Sequence, residues 1–370
     1  MVLSLLFKPK ELLAVLRLLR EAKRLGVEID ELPPDVVATH VLPRTHPERY
    51  GLTPDAEVTT TPPIEDLALA AVLDDVRAGN WENAADLVTS TAGDWDRRQR
   101  VVSALADLAA KEDAWTYSWL AARPGDPHWV VVHAMSLVSL AWDIRGSAPS
   151  SQTTRAQFDG FHRVLADARE AAEVAVSLLP DDPTPWVMQL MVARGLQVPH
   201  DEFGVLWEEL VARDPLHHNG HLQALQYWCR KWQGSDELAL EFGLAAAAKS
   251  PRFAALPLHA AFESGSPEMW RRAAVVRAVD VLVARLEDEG ADTGVLRGDR
   301  GYAAFGLVQL GRYEEAVGQF RALGAFADGG PWEMFEEPRI AFLTLRGMAV
   351  RAAVKGKRGR SWGGRGQVGG

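Results

Sequence analysis

The sequence predicts an all-α fold, a right-handed α-solenoid of about seven irregular helical hairpins, on three observations. Apolar residues recur at helical spacing from about residue 64 onward, with no alternating strand pattern. Glycine and proline fall mostly between the periodic segments, where they punctuate helices. One helix-opening motif also returns along the chain, in "GDPHWVVVHAM" (125–135), "DDPTPWVMQLMVARG" (181–195) and "RDPLHHNGHLQAL" (213–225).

The first predicted element is an N-terminal amphipathic helix within residues 1–26. Leu12, Leu13, Leu16 and Leu19 recur at three- and four-residue spacing, with Lys8, Lys10, Arg17, Arg20, Lys23 and Arg24 around them. Such a helix either caps the open end of a solenoid or lies on an anionic membrane surface, and capping is the expectation. Its leading "MVLSLLF" lacks a basic start and a small-residue cleavage site, so it does not read as a signal peptide. Residues 27–63 follow as a proline-rich connector containing "ELPPD" and "TTTPP"; a segment that long without periodicity is either disordered or wraps along the surface.

The helical body is expected over 64–354. Its units open at Asp94-Trp95, Asp126-Pro127, Asp182-Pro183, Asp214-Pro215 and Ser250-Pro251, at offsets of 32, 56, 32 and 36 residues. Proline is tolerated at a helix start, and the preceding acid favours the positive N-terminal end of the dipole. The long offset predicts an insertion, with "RGSAPSSQTT" (145–154) as its flexible part. Thirteen tryptophans are scattered evenly rather than clustered, as packing anchors between layers would be.

Two segments carry a shared signature. "AGNWENAADLVTS" (78–90) aligns with "LGRYEEAVGQFRA" (310–322), matching Gly79 to Gly311, Trp81 to Tyr313, Glu82 to Glu314 and Ala84 to Ala316. The glycine ends a helix, the aromatic packs back on it, and the alanine permits a close helix crossing. An apolar residue four positions later, Val88 or Phe320, lies on the same face. These residues resemble the tetratricopeptide repeat, over roughly residues 64–326. The stretch "LQALQYWCRKWQGSDELALEF" is similar to that of uncharacterised bacterial tetratricopeptide-like proteins. The resemblance implies a protein–protein interaction module. Mapped onto the repeat, Met191, Arg194, Gln223, Tyr227, Arg230 and Lys231 face the concave groove. There they suit an extended peptide with an acidic or C-terminal carboxylate end.

Composition bounds the function. A formal net charge of −10, with −15 in residues 1–354, argues against nucleic-acid binding by the body. Only the tail 355–370, basic, glycine-rich and expected to be disordered, offers a weak contact for RNA. A lone cysteine, Cys229, excludes an internal disulfide and fits a reducing cytoplasm, and no run of about 20 apolar residues suits a membrane span. Phosphate loops, nucleophile elbows, Rossmann glycine fingerprints and zinc-protease helices are absent, so the expectation is a non-enzymatic scaffold without cofactor or metal. Adjacent acidic pairs such as Asp181/Asp182 and Glu208/Glu209 point apart on a helix and read as solvated faces or helix starts. Two other readings stay open: an α-helical enzyme or ligand-binding domain with a pocket near His217, His221 and Tyr227, and a self-associating structural subunit.

Overall fold

The computed structural model describes residues 18–32, 36, 46–146, 152–288 and 293–363, without the side chains of 355–363. Among these residues the chain is all-helical, and the β contact is an isolated parallel bridge between Thr59 and Phe326. Contacts group the chain into two compact units, Ile64–Ser264 and a second built from Met1–Pro63 with Gly265–Gly370. The body expected to run unbroken over 64–354 is thus divided after Ser264.

The first unit contains α1 (Leu67–Arg77), α2 (Glu82–Ser90), α3 (Trp95–Ala109), α4 (Ala114–Ala122), α5 (Pro127–Arg145) and α6 (Arg155–Leu178). It continues with α7 (Thr184–Leu196), α8 (His200–Arg213), α9 (His218–Tyr227), α10 (Asp236–Lys249) and α11 (Leu256–Glu263). The recurring acids open helices as expected: Asp94 accepts from Arg97 N at 3.2 Å and Asp126 from His128 N at 2.9 Å. These bonds satisfy backbone donors that the first turn leaves without partners. The 56-residue offset is mostly helix, because α5 and α6 are long and pack along one another; only residues 147–151 between them lie outside the described set.

Odd-numbered helices form a succession in which α3 packs on α5, α5 on α7, α7 on α9 and α9 on α11. The helices α3, α5, α7 and α9 each also pack on the even-numbered helix that follows, and α3 additionally touches α7 and α9. Leu105, Val131, Val138, Leu165 and Met188 fill the shared core and are fully buried. Gly195 allows α7 to approach α6: a Cβ there would sit 2.8 Å from Phe161 Cζ.

The second unit contains α12 (Pro267–Trp270), α13 (Ala273–Asp288), α14 (Gly294–Gln309), α15 (Tyr313–Leu323) and α16 (Pro338–Gly363). The turn between α14 and α15 matches that between α1 and α2. Gly79 and Gly311 both have positive φ, 90° and 71°, where a side chain would be strained. Each closes the same pair of bonds, Asn80 N→Asp75 O with Gly79 N→Val76 O, and Arg312 N→Leu307 O with Gly311 N→Val308 O. Ala84, Val88, Ala316 and Phe320 are all fully buried, as the alignment required.

Segment 50–59 of the predicted connector is docked on the helices of this unit. Arginines of the last helices hold its carbonyls: Arg346 Nη1→Thr53 O at 3.0 Å, Arg339 Nε→Val58 O at 2.9 Å and Arg321 Nη2→Tyr50 O at 2.7 Å. Leu52 and Val58 are buried beneath them. An aperiodic strand of chain is thereby ordered by guanidinium donors from helices almost 300 positions away, which no local pattern announces. Two further expectations change. In the N-terminal helix, Leu18 and Ala22 pack with Leu32 while Leu19 is 47% exposed; Leu12, Leu13 and Leu16 lie outside the described residues. At the other end α16 runs on to Gly363, so residues 355–363 of the expected disordered tail are helical, and 364–370 lie outside the described set.

Candidate functional site

The helix starts of the first unit build a sealed polar core. Arg98, near the start of α3, is 1% exposed and meets Asp182, 4% exposed, with Nε and Oδ2 at 2.6 Å. Its Nη1 donates to Val88 O at 2.8 Å, and its Nη2 lies 3.2 Å from His128 Nδ1. A guanidinium only donates, so His128 Nδ1 accepts and the proton sits on Nε2. Burial, helped by the Arg98 charge, holds the His128 pKa below its ordinary value. Asp182 also accepts from Thr184 N at 2.8 Å. The motif acid that looked like a helix-start charge is therefore the counter-ion of an arginine two units earlier.

The opposite, C-terminal ends of α5 and α7 are built differently. Trp142 and Arg145 lie three apart on one face of α5, and Arg194 ends α7. Trp232, in the turn after α9, meets Trp142 edge to face, with centroids 5.3 Å apart and planes at 87°. The Arg194 guanidinium carbon stands 4.6 Å from the Trp142 ring centre and 5.4 Å from that of Trp232. Arg145 stands 5.8 Å and 5.2 Å from the same two rings. Two cations share two indole faces.

Their compensation is incomplete. Arg194 is only 8% exposed, and its side-chain hydrogen bond is Nη1→Gln223 Oε1 at 2.8 Å. Arg145 Nη1 donates to Gly146 O at 3.0 Å. Neither forms an ion pair with a described carboxylate. Arg194 Nε and Trp142 Nε1 are both buried donors with no acceptor. Burial, aided by repulsion from Arg145 and opposed by the nearby Glu263 charge, pushes the Arg194 pKa down to about 10. The nearby Glu263 carboxylate is engaged by Lys231 Nζ and Gln226 Nε2, each at 2.8 Å.

The structure places the sequence-predicted site residues unevenly. Arg194 and Gln223 come together, and Arg230 and Lys231 are exposed on the adjoining turn. Met191 is half-buried against the core between α7 and its neighbours. Tyr227 does not face a groove. It is fully buried, its ring stacks on Phe203 at 3.6 Å, and its hydroxyl donates to Val198 O at 2.8 Å. Sequence reasoning missed Trp142, Arg145 and Trp232. The Trp-x-x-Arg spacing ending α5 was the available signal.

His217 and His221 are packed in the interior. His217 caps α9, its Nδ1 accepting from Gly220 N at 3.1 Å. His221 stacks on Phe253 at 3.8 Å and meets Trp207 edge-on. Neither histidine lines the apolar depression of about 320 Å³ beside Phe203, Trp207 and Phe242, or that of about 230 Å³ beside Val192, Leu196 and Leu206. Among the described residues no cluster of three or more His, Cys, Asp or Glu is placed to hold a metal. No described helix is long and apolar enough to cross a membrane. Burial lifts the Cys229 pKa to about 12, which keeps its thiol protonated and unreactive.

Burial also lowers the His221 pKa from 6.5 to about 4, opposed by the hydrogen bond to His217 O and by Asp214 and aided by the charges of Lys249 and His217. The unfolded chain then binds a proton at pH values where the folded chain does not. Stability is full above pH 6.5 and is lost as the pH falls toward 4. Urea unfolding at pH 7 and pH 5 is expected to show a loss of about 2 kcal/mol from this residue, reduced in His221→Phe. Equal stabilities at the two pH values, or an identical loss in the variant, would contradict the assignment.

Comparison with known proteins gives no match to a family model, to a curated protein or to a solved structure. The functional reading therefore rests on the residues themselves.

Proposed function

We propose that the chain is a non-enzymatic protein-interaction module. Its tetratricopeptide-like hairpins stack as a right-handed solenoid, and a segment of a partner protein lies across the layer formed by α5, α7 and α9. One observation carries this reading: Arg145 and Arg194 lie side by side without an ion-pair partner, near the exposed Arg230 and Lys231, which pair with Asp236 and Glu263, on a chain with a net charge of −10. A local cationic patch on an acidic protein repels other acidic surfaces at long range while attracting an acidic segment at short range. The flanking Trp142 and Trp232 supply rigid aromatic area of the kind that dominates binding energy.

Selection from a displayed library of random peptides tests the proposal. The wild type is expected to enrich acidic sequences, and Arg230→Glu/Lys231→Glu to lose that enrichment while keeping the wild-type circular dichroism. Both side chains are exposed, but Arg230 pairs with Asp236 and Lys231 with Glu263, so the urea midpoint is measured beside the circular dichroism to show that the double variant is folded. Failure to enrich any sequence, or the same enrichment with the folded variant, overturns it.

A further inference from the structure

We infer that Arg145 and Arg194, framed by Trp142 and Trp232, form a binding site for a single carboxylate group. This rests on the proposed interaction module and names what the partner segment inserts. Arg194 is the fixed end of the site. It is more than nine-tenths buried, its orientation is set by Gln223, and its Nε has no acceptor. Arg145 is half-buried and forms the accessible end. Trp142 Nε1 adds another buried donor without an acceptor.

A charged donor left unsatisfied in the interior is costly, and an incoming anion relieves that cost. A guanidinium presents parallel N–H groups that match the two oxygens of a carboxylate. The two indoles stand at right angles with centroids 5.3 Å apart, and their faces hold both guanidiniums, so an anion approaches from the half-buried Arg145 side. Glu263 does not fill this role, because Lys231 and Gln226 hold it. A planar monoanion suits a largely buried guanidinium beside indole faces better than a hydrated tetrahedral dianion, whose desolvation is far more costly.

Two sources supply such a group, the C-terminus of a peptide and an Asp or Glu side chain. The test follows the Nε–H resonances of arginine in isotope-labelled full-length protein. The probes are N-acetylglycine for a chain end, N-acetylglutamate α-amide for a side chain, inorganic phosphate, and acetamide as the uncharged control. Signals of Arg145 and Arg194 are identified by their loss in Arg145→Lys and Arg194→Met. At least one carboxylate is expected to shift both signals saturably, with the tighter of the two naming the source. Arg145→Ala is expected to weaken that binding at least tenfold, and acetamide to have no effect. An absence of saturable shifts, phosphate binding more tightly than both carboxylates, or undiminished binding by Arg145→Ala overturns the inference. Peptide enrichment that depends on Arg230 and Lys231 while these signals stay unmoved would sink the carboxylate site and leave the interaction module standing.

Discussion

Replacing Asp182 by alanine is expected to cost about 3–5 kcal/mol of stability, the largest effect of any single change considered, because it strands a buried arginine. Arg98 is 1% exposed, and its charge is balanced inside the fold by the Asp182 carboxylate at 2.6 Å. Val88 O, Thr91 Oγ1 and His128 Nδ1 accept its remaining hydrogen bonds but carry no charge. Without Asp182 the guanidinium must stay ionised in an apolar interior or drag the start of α3 open to water. Thr184 N loses its acceptor in the same stroke. Urea unfolding of Asp182→Ala measures the loss. Arg98→Met/Asp182→Leu is expected to recover most of it, since two apolar groups of similar size remove the stranded charge. A loss below about 1 kcal/mol in the single variant, the scale of an exposed ion pair, would mean that Arg98 and Asp182 do not meet in a dry core.

The features legible in the sequence were those whose cause is local. The glycines at 79 and 311 were readable because a left-handed turn demands them, and both adopt it with the same pair of closing bonds. The acids at 94 and 126 were readable as helix starts because a cap acts over three residues. Asp182 was read correctly as sitting at a helix start and incompletely as to its work, since its partner Arg98 lies 84 positions away. Wrapping of the connector along the surface was one of the two readings open in the sequence, but the donors that hold Tyr50, Thr53 and Val58 were not legible, because Arg321, Arg346 and Arg339 belong to distant helices.

At the candidate site, Arg194 and Gln223 were nominated and do meet, whereas Tyr227 was assigned to a surface and is buried against Phe203. A tyrosine satisfies both settings in sequence; its neighbours decide. Trp232 was invisible as a site residue because it stands in an irregular turn, where helical spacing cannot say which way it points.

The second large effect is expected at Arg194, and it separates function from structure. The residue is buried, its pKa is pushed down to about 10, and it has no anionic partner, so the fold bears its charge at a cost. Its favourable contacts are the Gln223 bond and the faces of Trp142 and Trp232. Methionine fills similar space with an unbranched, polarisable chain that packs well on aromatic rings and carries no charge to desolvate. Arg194→Met is therefore expected to lose carboxylate-dependent peptide binding by more than tenfold while unfolding at the same or higher urea concentration. Such a trade of stability for activity is expected of a binding residue and foreign to a structural one.

The urea midpoint of Arg194→Met tests the central claim most directly, because it asks whether this arginine serves the fold or a ligand. The account predicts a midpoint equal to or above that of the wild type. A midpoint lowered by the equivalent of about 2 kcal/mol or more would show that Arg194 holds the helices together, and the reading of this face as a binding surface would fall with it.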